Sequence, residues 1–276
     1  MKYNGLQFNA HAMGALHGVL YTNSLEAFRH WYARGVRHFE VDVNMTRDGA
    51  FVLSHDITRV SSQSKKEFLA DHRVGILNGG PLLCTKGTQI DLEDCFDLML
   101  KYSDVHIMFD FQPAWHNDES DGVRFLERFC RGFINEKIFG RSLIEVGSLE
   151  HAKIVQDSGF KNVQLWISKA DALYSETGID VLLKHEIKFV SLDCSKLTRT
   201  YVTALKDADI TVYSPAWDDY DGVSAAIELG IDFATTHYPF ARSGALGRLR
   251  YRFHKDIGWR LYNWRHYVGC TDLQKP

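Results

Sequence analysis

From residue 142 to residue 236 the chain alternates short apolar runs with stretches of helical periodicity, and no other feature narrows the fold so far. The spacing predicts strands at Ser142–Val146, Asn162–Ser168, Lys188–Asp193, Ile210–Ser214 and Asp232–Thr236. Between them it predicts helices at Leu149–Asp157, Ala170–Leu183, Thr198–Lys206 and Val223–Leu229. When a helix separates each strand from the next, the connections are crossovers and neighbouring strands run parallel. Upstream, Leu6–Ala10, Arg37–Val43, Ala50–Ser54 and Val105–Phe111 read as strands, Leu25–Ala33 and Leu92–Lys101 as helices, and 57–90 as a long loop. The pattern predicts an α/β fold, a single TIM (β/α)8 barrel. A doubly wound open sheet is the alternative, weakened by the lack of any GxGxxG or Walker loop. The 276 residues suit one barrel, and neither linker nor repeat divides 1–276 into further domains.

Composition excludes some partners. A formal net charge of −3 provides no basic field for nucleic acid. Cys84, Cys95, Cys130, Cys194 and Cys270 are scattered without CxxC or zinc-like spacing, as expected of free thiols in a reducing compartment. No apolar run has the length of a signal-peptide core or a membrane span, so the expectation is a soluble, cytoplasmic protein.

Chemistry enters through polar groups on strands. In Phe39-Glu40-Val41-Asp42-Val43 the two carboxylates are two residues apart and project from one face. Two buried carboxylates repel, and a bound cation is the simplest reason to pair them. A tight turn at Thr46-Arg47-Asp48-Gly49 leads to Phe51-Val52-Leu53-Ser54-His55, where the histidine can move protons near neutral pH. His11 follows the first strand and Asp110 closes Val105–Phe111. In parallel α/β folds such strand ends converge on one mouth.

Taken together, His11-Ala12-Met13-Gly14, Asn23-Ser24-Leu25-Glu26-Ala27-Phe28, Gly35-x-x-x-Phe39-Glu40-x-Asp42-Val43-x-x-Thr46-x-Asp48-Gly49 and Val52-x-x-His55-Asp56 resemble the glycerophosphodiester phosphodiesterase family. The likeness continues more loosely through Gln89–Asp94, Asp110 and Thr236-His237-Tyr238-Pro239. It implies a divalent cation, Ca²⁺ or Mg²⁺, held at Glu40, Asp42 and Asp110. It also implies His11 and His55 as the general acid–base pair, and Asn23 close to metal and phosphate among the substrate-binding positions. The implied reaction is hydrolysis of a small-molecule glycerophosphodiester to glycerol phosphate and an alcohol. The substrate's own glycerol hydroxyl would attack first and leave a cyclic phosphate for water to open.

Three positions depart from that pattern. Ala12 stands where the family carries arginine, Gln112 where it carries lysine, and Asp110 where it carries glutamate. Two phosphate-facing cations are thereby missing, which lowers anion affinity unless other groups replace them. Arg59, Lys169 and His237 are the candidate replacements. Trp115, His116, Trp166, Tyr213 and Trp217 are candidate pocket walls, with ordinary packing as the alternative, and Glu145 closes a later strand. At 243–270, Leu246, Leu249, Phe253, Ile257, Leu261, Trp264 and Val268 recur at helical spacing among arginines. That segment reads as the final barrel helix, or else as a peripheral contact with an inner membrane face. The rival functions are a phospholipase of the same superfamily acting on intact lipid, and a catalytically weak protein binding a polyol phosphate or lipid headgroup.

Overall fold

The computed structural model describes residues 2–3, 5–75, 84–111, 119–132, 136–167, 172–192, 197–214 and 220–239. Eight strands form the barrel wall: β1 (Leu6–Ala10), β2 (His38–Met45), β3 (His106–Phe111), β4 (Ser142–Val146), β5 (Val163–Ile167), β6 (Phe189–Leu192), β7 (Thr211–Ser214) and β8 (Phe233–Thr236). Each pairs in parallel with the next, and β8 pairs with β1, so the sheet closes. The open-sheet alternative is thereby excluded. Among the described residues, the longer helices outside the wall are α1 (Leu25–Tyr32), α2 (Leu92–Lys101), α3 (Glu119–Gly132), α4 (Leu149–Asp157), α5 (Glu176–Lys184), α6 (Arg199–Asp207) and α7 (Tyr220–Leu229).

Local sequence explains most of these boundaries. Ser24, Asp91, Ser148, Ser175 and Thr198 each cap a helix by accepting a backbone N–H from the first turn. The Ser175 cap delays α5, which begins six residues later than its periodicity predicts. Helix α3, though its residues repeat at helical spacing, has no counterpart among the elements predicted from sequence. The segment 57–90 is not one long loop: Ile57–Ser62 and Lys65–Ala70 are helical, the second opened by a Ser64/Glu67 capping box. A small hairpin, Arg73–Gly75 with Cys84–Lys86, follows.

The expected third strand is also different. Phe51–Leu53 pairs antiparallel with β2 and stays outside the barrel wall. Strand β2 runs past the rim to Met45, turns through Thr46–Gly49, and comes back, with the Ser54 N–H donating to the Asp42 carbonyl. His55 therefore reaches the rim on a returning arm, at the level of Asp42, and not on a strand end of its own.

Inside the barrel Met108, Leu143, Tyr213 and Phe233 pack as an apolar floor, with the Tyr213 and Phe233 rings stacked at 4.4 Å. Tyr213 is thus packing and not a wall of the mouth. Outside, Phe28, Trp31, Phe39, Phe109, Phe111 and Phe129 fill the layer between sheet and helices. Gly14 shows how tight that layer is near the first strand: its φ is +88°, and a β-carbon there would lie 2.3 Å from the Trp31 indole. Gly14→Ala is expected to cost about 2–4 kcal/mol, combining left-handed strain with overpacking, as read from the denaturant midpoint. A loss below 0.5 kcal/mol would contradict that packing.

Candidate active site

The loop after β1 is folded against its own chirality. Ala12 and Met13 adopt left-handed φ values of +48° and +62°, followed by His17, Tyr21 and Asn23 at +53°, +54° and +44°. Such backbone is costly for residues with a β-carbon and persists only where surrounding contacts fix it. Here the Asn23 N–H donates to the Ala12 carbonyl, the Ala15 N–H to the His237 carbonyl, and the Trp31 indole N–H to the Ala15 carbonyl. The reversed turn aims the Ala12 N–H at Glu40 Oε2, 2.5 Å away, and leaves His11 Nε2 3.7 Å from the same oxygen.

Glu40 and Asp42 are both essentially inaccessible to solvent. Glu40 Oε1 is buried with no hydrogen-bond partner among the described residues. Asp42 is held at two points by Asn23, whose Nδ2 donates to Asp42 Oδ2 at 2.7 Å and whose Oδ1 accepts the Asp42 backbone N–H at 3.1 Å. Asn23 is itself fully buried, so its amide faces the carboxylate and not the solvent side of the mouth.

Barrel register carries the acidic row onward. Asp42 lies opposite Asp110 on β3, Asp110 opposite Glu145 on β4, and Glu145 opposite Gln164 on β5, whose amide donates to it. Burial, then Asp42, Asp110 and Glu145, pushes Glu40 well above the usual carboxylate range. Burial likewise raises Asp42 to about 6, against the opposing pull of Asn23 and His237. Glu145 is raised well above its usual range by burial and by Asp110. Glu40 and Glu145, lifted by burial and by the carboxylates beside them, and Asp42, lifted by burial, form with Asp110 a site that favours a cation. The tightest group is His11, Glu40 and Asp42, whose ligand atoms all lie within 4.8 Å of one another, with Asp110 outside it.

Facing the acids is a set of rings. The imidazoles of His11 and His237 lie 4.3 Å apart between centroids, and the Tyr21 ring is 5.0 Å from His11, 4.5 Å from His237 and 4.4 Å from His55. Burial lowers the His55 pKa, opposed by Asp110 and reinforced by His237. Sequence reasoning located His11, His55 and His237 but missed Tyr21, which bears no catalytic signature; its neighbour Asn23 was the nearest signal. It placed Glu145 at a strand end without giving it a role. Arg59 is engaged elsewhere, 3.3 Å from Asp71 and over the Phe68 ring. Lys169, Trp217, Gln112, Trp115, His116 and the 243–270 segment lie outside the described residues. No helix among the described residues is long and apolar enough to cross a membrane.

A closed parallel barrel with its polar groups gathered at one rim defines an α/β-barrel enzyme. The Glycerophosphoryl diester phosphodiesterase family matches residues 13–239. The chain belongs to that family and is a phosphodiesterase. Comparison with curated proteins finds no match. Among solved structures it is similar to a protein of Silicibacter pomeroyi assigned as a glycerophosphoryl diester phosphodiesterase, at 17% identity and TM-score 0.67 over 92% of this chain and 95% of that one. A glycerophosphodiester phosphodiesterase from Parabacteroides distasonis is 17% identical, TM-score 0.67, over 86% and 95%. An Oleispira antarctica phosphodiesterase in complex with the product sn-glycerol-3-phosphate is 15% identical, TM-score 0.55, over 84% and 93%. At these identities the likeness speaks to the fold.

Proposed function

We propose that this protein hydrolyses a glycerophosphodiester to glycerol phosphate and an alcohol, with a divalent cation bound in the acidic row and His11 and His55 moving the protons. The observation that carries this reading is Glu40: a buried carboxylate with one oxygen tied to Ala12 and the other lacking a hydrogen-bond donor among the described residues. A carboxylate so placed fits a hard cation, and Glu40, Asp42 and Asp110, with Glu145 beside them, offer the oxygen donors that Ca²⁺ or Mg²⁺ prefers. When bound, the cation neutralises phosphoryl charge and orients the phosphoryl oxygens.

The remaining roles belong to the chain itself. Asn23 positions Asp42 from behind. Burial favours the neutral form of His55, which is the form that accepts a proton from the attacking hydroxyl. His11 Nε2, facing the Glu40 carboxylate, is placed to protonate the leaving alkoxide. His237 stands beside His11 and substitutes for the missing phosphate-facing cations, with Lys169 and Trp217 as further substrate contacts.

The test is ³¹P NMR of the purified protein with mixed glycerophosphodiesters and Ca²⁺ or Mg²⁺, with EDTA and Glu40→Ala controls. Glycerol 3-phosphate or a cyclic phosphate should appear only with the cation and only with Glu40 intact. Metal binding without turnover of any diester would overturn the proposal in favour of a lipid substrate or a binding protein.

A further inference from the structure

We infer that Tyr21 is a positioning residue that holds the two proton-transfer histidines in one orientation; the inference rests on the phosphodiesterase reading above. His11 and His55 arrive from unrelated parts of the chain, one on the turn after β1 and the other on the arm returning from β2. Tyr21 is the ring that both of them meet, at 5.0 Å and 4.4 Å, and it meets His237 at 4.5 Å as well. Among the described rings, His55 meets Tyr21 alone, at a tilt of 49°.

The backbone supports a placement that serves the site. Tyr21 holds a left-handed φ of +54° two residues before Asn23 at +44°, and Asn23 is clamped to Asp42. A bulky residue in that region is an outlier that the fold must enforce, and outliers of this kind cluster at working sites. The same short stretch therefore fixes a metal-facing carboxylate through Asn23 and the histidine pair through Tyr21. Tilted and edge-on ring contacts constrain imidazole rotation without consuming a ring nitrogen. Misplacing a reacting group by about 1 Å can cost on the order of 100-fold in rate.

The role predicts a divided outcome. Tyr21→Leu should lower kcat by about 10- to 100-fold, with KM within about threefold and the Mg²⁺ affinity measured by calorimetry unchanged. Tyr21→Phe, which keeps the ring and drops the hydroxyl, should stay within about threefold of the wild type in kcat. In substrate-free protein labelled at the histidine ring carbons, the wild type should show NOEs from the Tyr21 ring to His55. The His55 and His237 ring signals should shift in Tyr21→Leu and stay in place in Tyr21→Phe. A Tyr21→Leu enzyme with wild-type kcat, a Tyr21→Phe enzyme as slow as Tyr21→Leu, a loss confined to KM, or absent NOEs would each overturn the inference. The NMR arms need no substrate, so a protein that turns over no diester would defeat the functional reading while the ring contacts are still decided.

Discussion

His55→Ala is expected to lower kcat by about 10²- to 10⁴-fold, the usual contribution of one positioned acid or base. The side chain is half-buried, lies against the Tyr21 ring and has its pKa lowered by burial, so its removal takes away the proposed proton acceptor without opening the apolar core. Cation affinity should hold, because His55 is not in the tight group of His11, Glu40 and Asp42. His11→Ala is expected to fall as far in kcat, and calorimetry with Mg²⁺ separates its two possible duties. Unchanged affinity marks it as a proton donor alone, and a 10- to 100-fold weaker affinity adds a place around the cation. The double variant should be little slower than either single one, because groups that act as a unit are not additive. Single-turnover rates within tenfold of the wild type for His55→Ala would remove it from the mechanism.

The second large effect is on stability. Asp42 titrates near 3.8 in an unfolded chain and at about 6 in the folded one. Across that interval the native state binds more protons than the unfolded state, so stability falls as pH rises. At 1.36 kcal/mol per pH unit, Asp42 alone amounts to about 3 kcal/mol. Glu40 and Glu145, raised in the same direction, extend the loss upward in pH. EDTA-treated protein is therefore expected to melt at a higher temperature at pH 5.5 than at pH 7.5. Mg²⁺ or Ca²⁺ at about 100 times its Kd contributes about 2.7 kcal/mol, a gain of roughly 5–8 °C for a chain of this size. That gain should be largest at pH 7.5 and shrink at pH 5.5, where protons compete for the same oxygens. Equal gains at both pH values, or none, would place the cation elsewhere.

Much of the architecture was legible in one dimension. Helix α2, helix α4 and strand β4 fall where periodicity and capping residues predict them, because 3.6- and 2-residue repeats and Ser or Asp caps are local properties. The errors were local too. The Ser64-x-x-Glu67 capping box and the amphipathic spacing of α3 are local signals as well, yet the sequence reading assigns no helix at either place.

The sequence by itself determined the parallel barrel and which strand positions carry acids and histidines, since residue type and strand parity are written in the chain. Only the tertiary structure decided which of them meet. Closure of the sheet sets the register that puts Glu145 opposite Asp110, and a returning hairpin arm lifts His55 to the level of Asp42. Left-handed backbone at Ala12, Tyr21 and Asn23 turns a phenol ring toward three imidazoles and an amide toward a carboxylate. Contacts between residues far apart in the chain depend on register and backbone handedness, and neither leaves a periodic trace in the sequence.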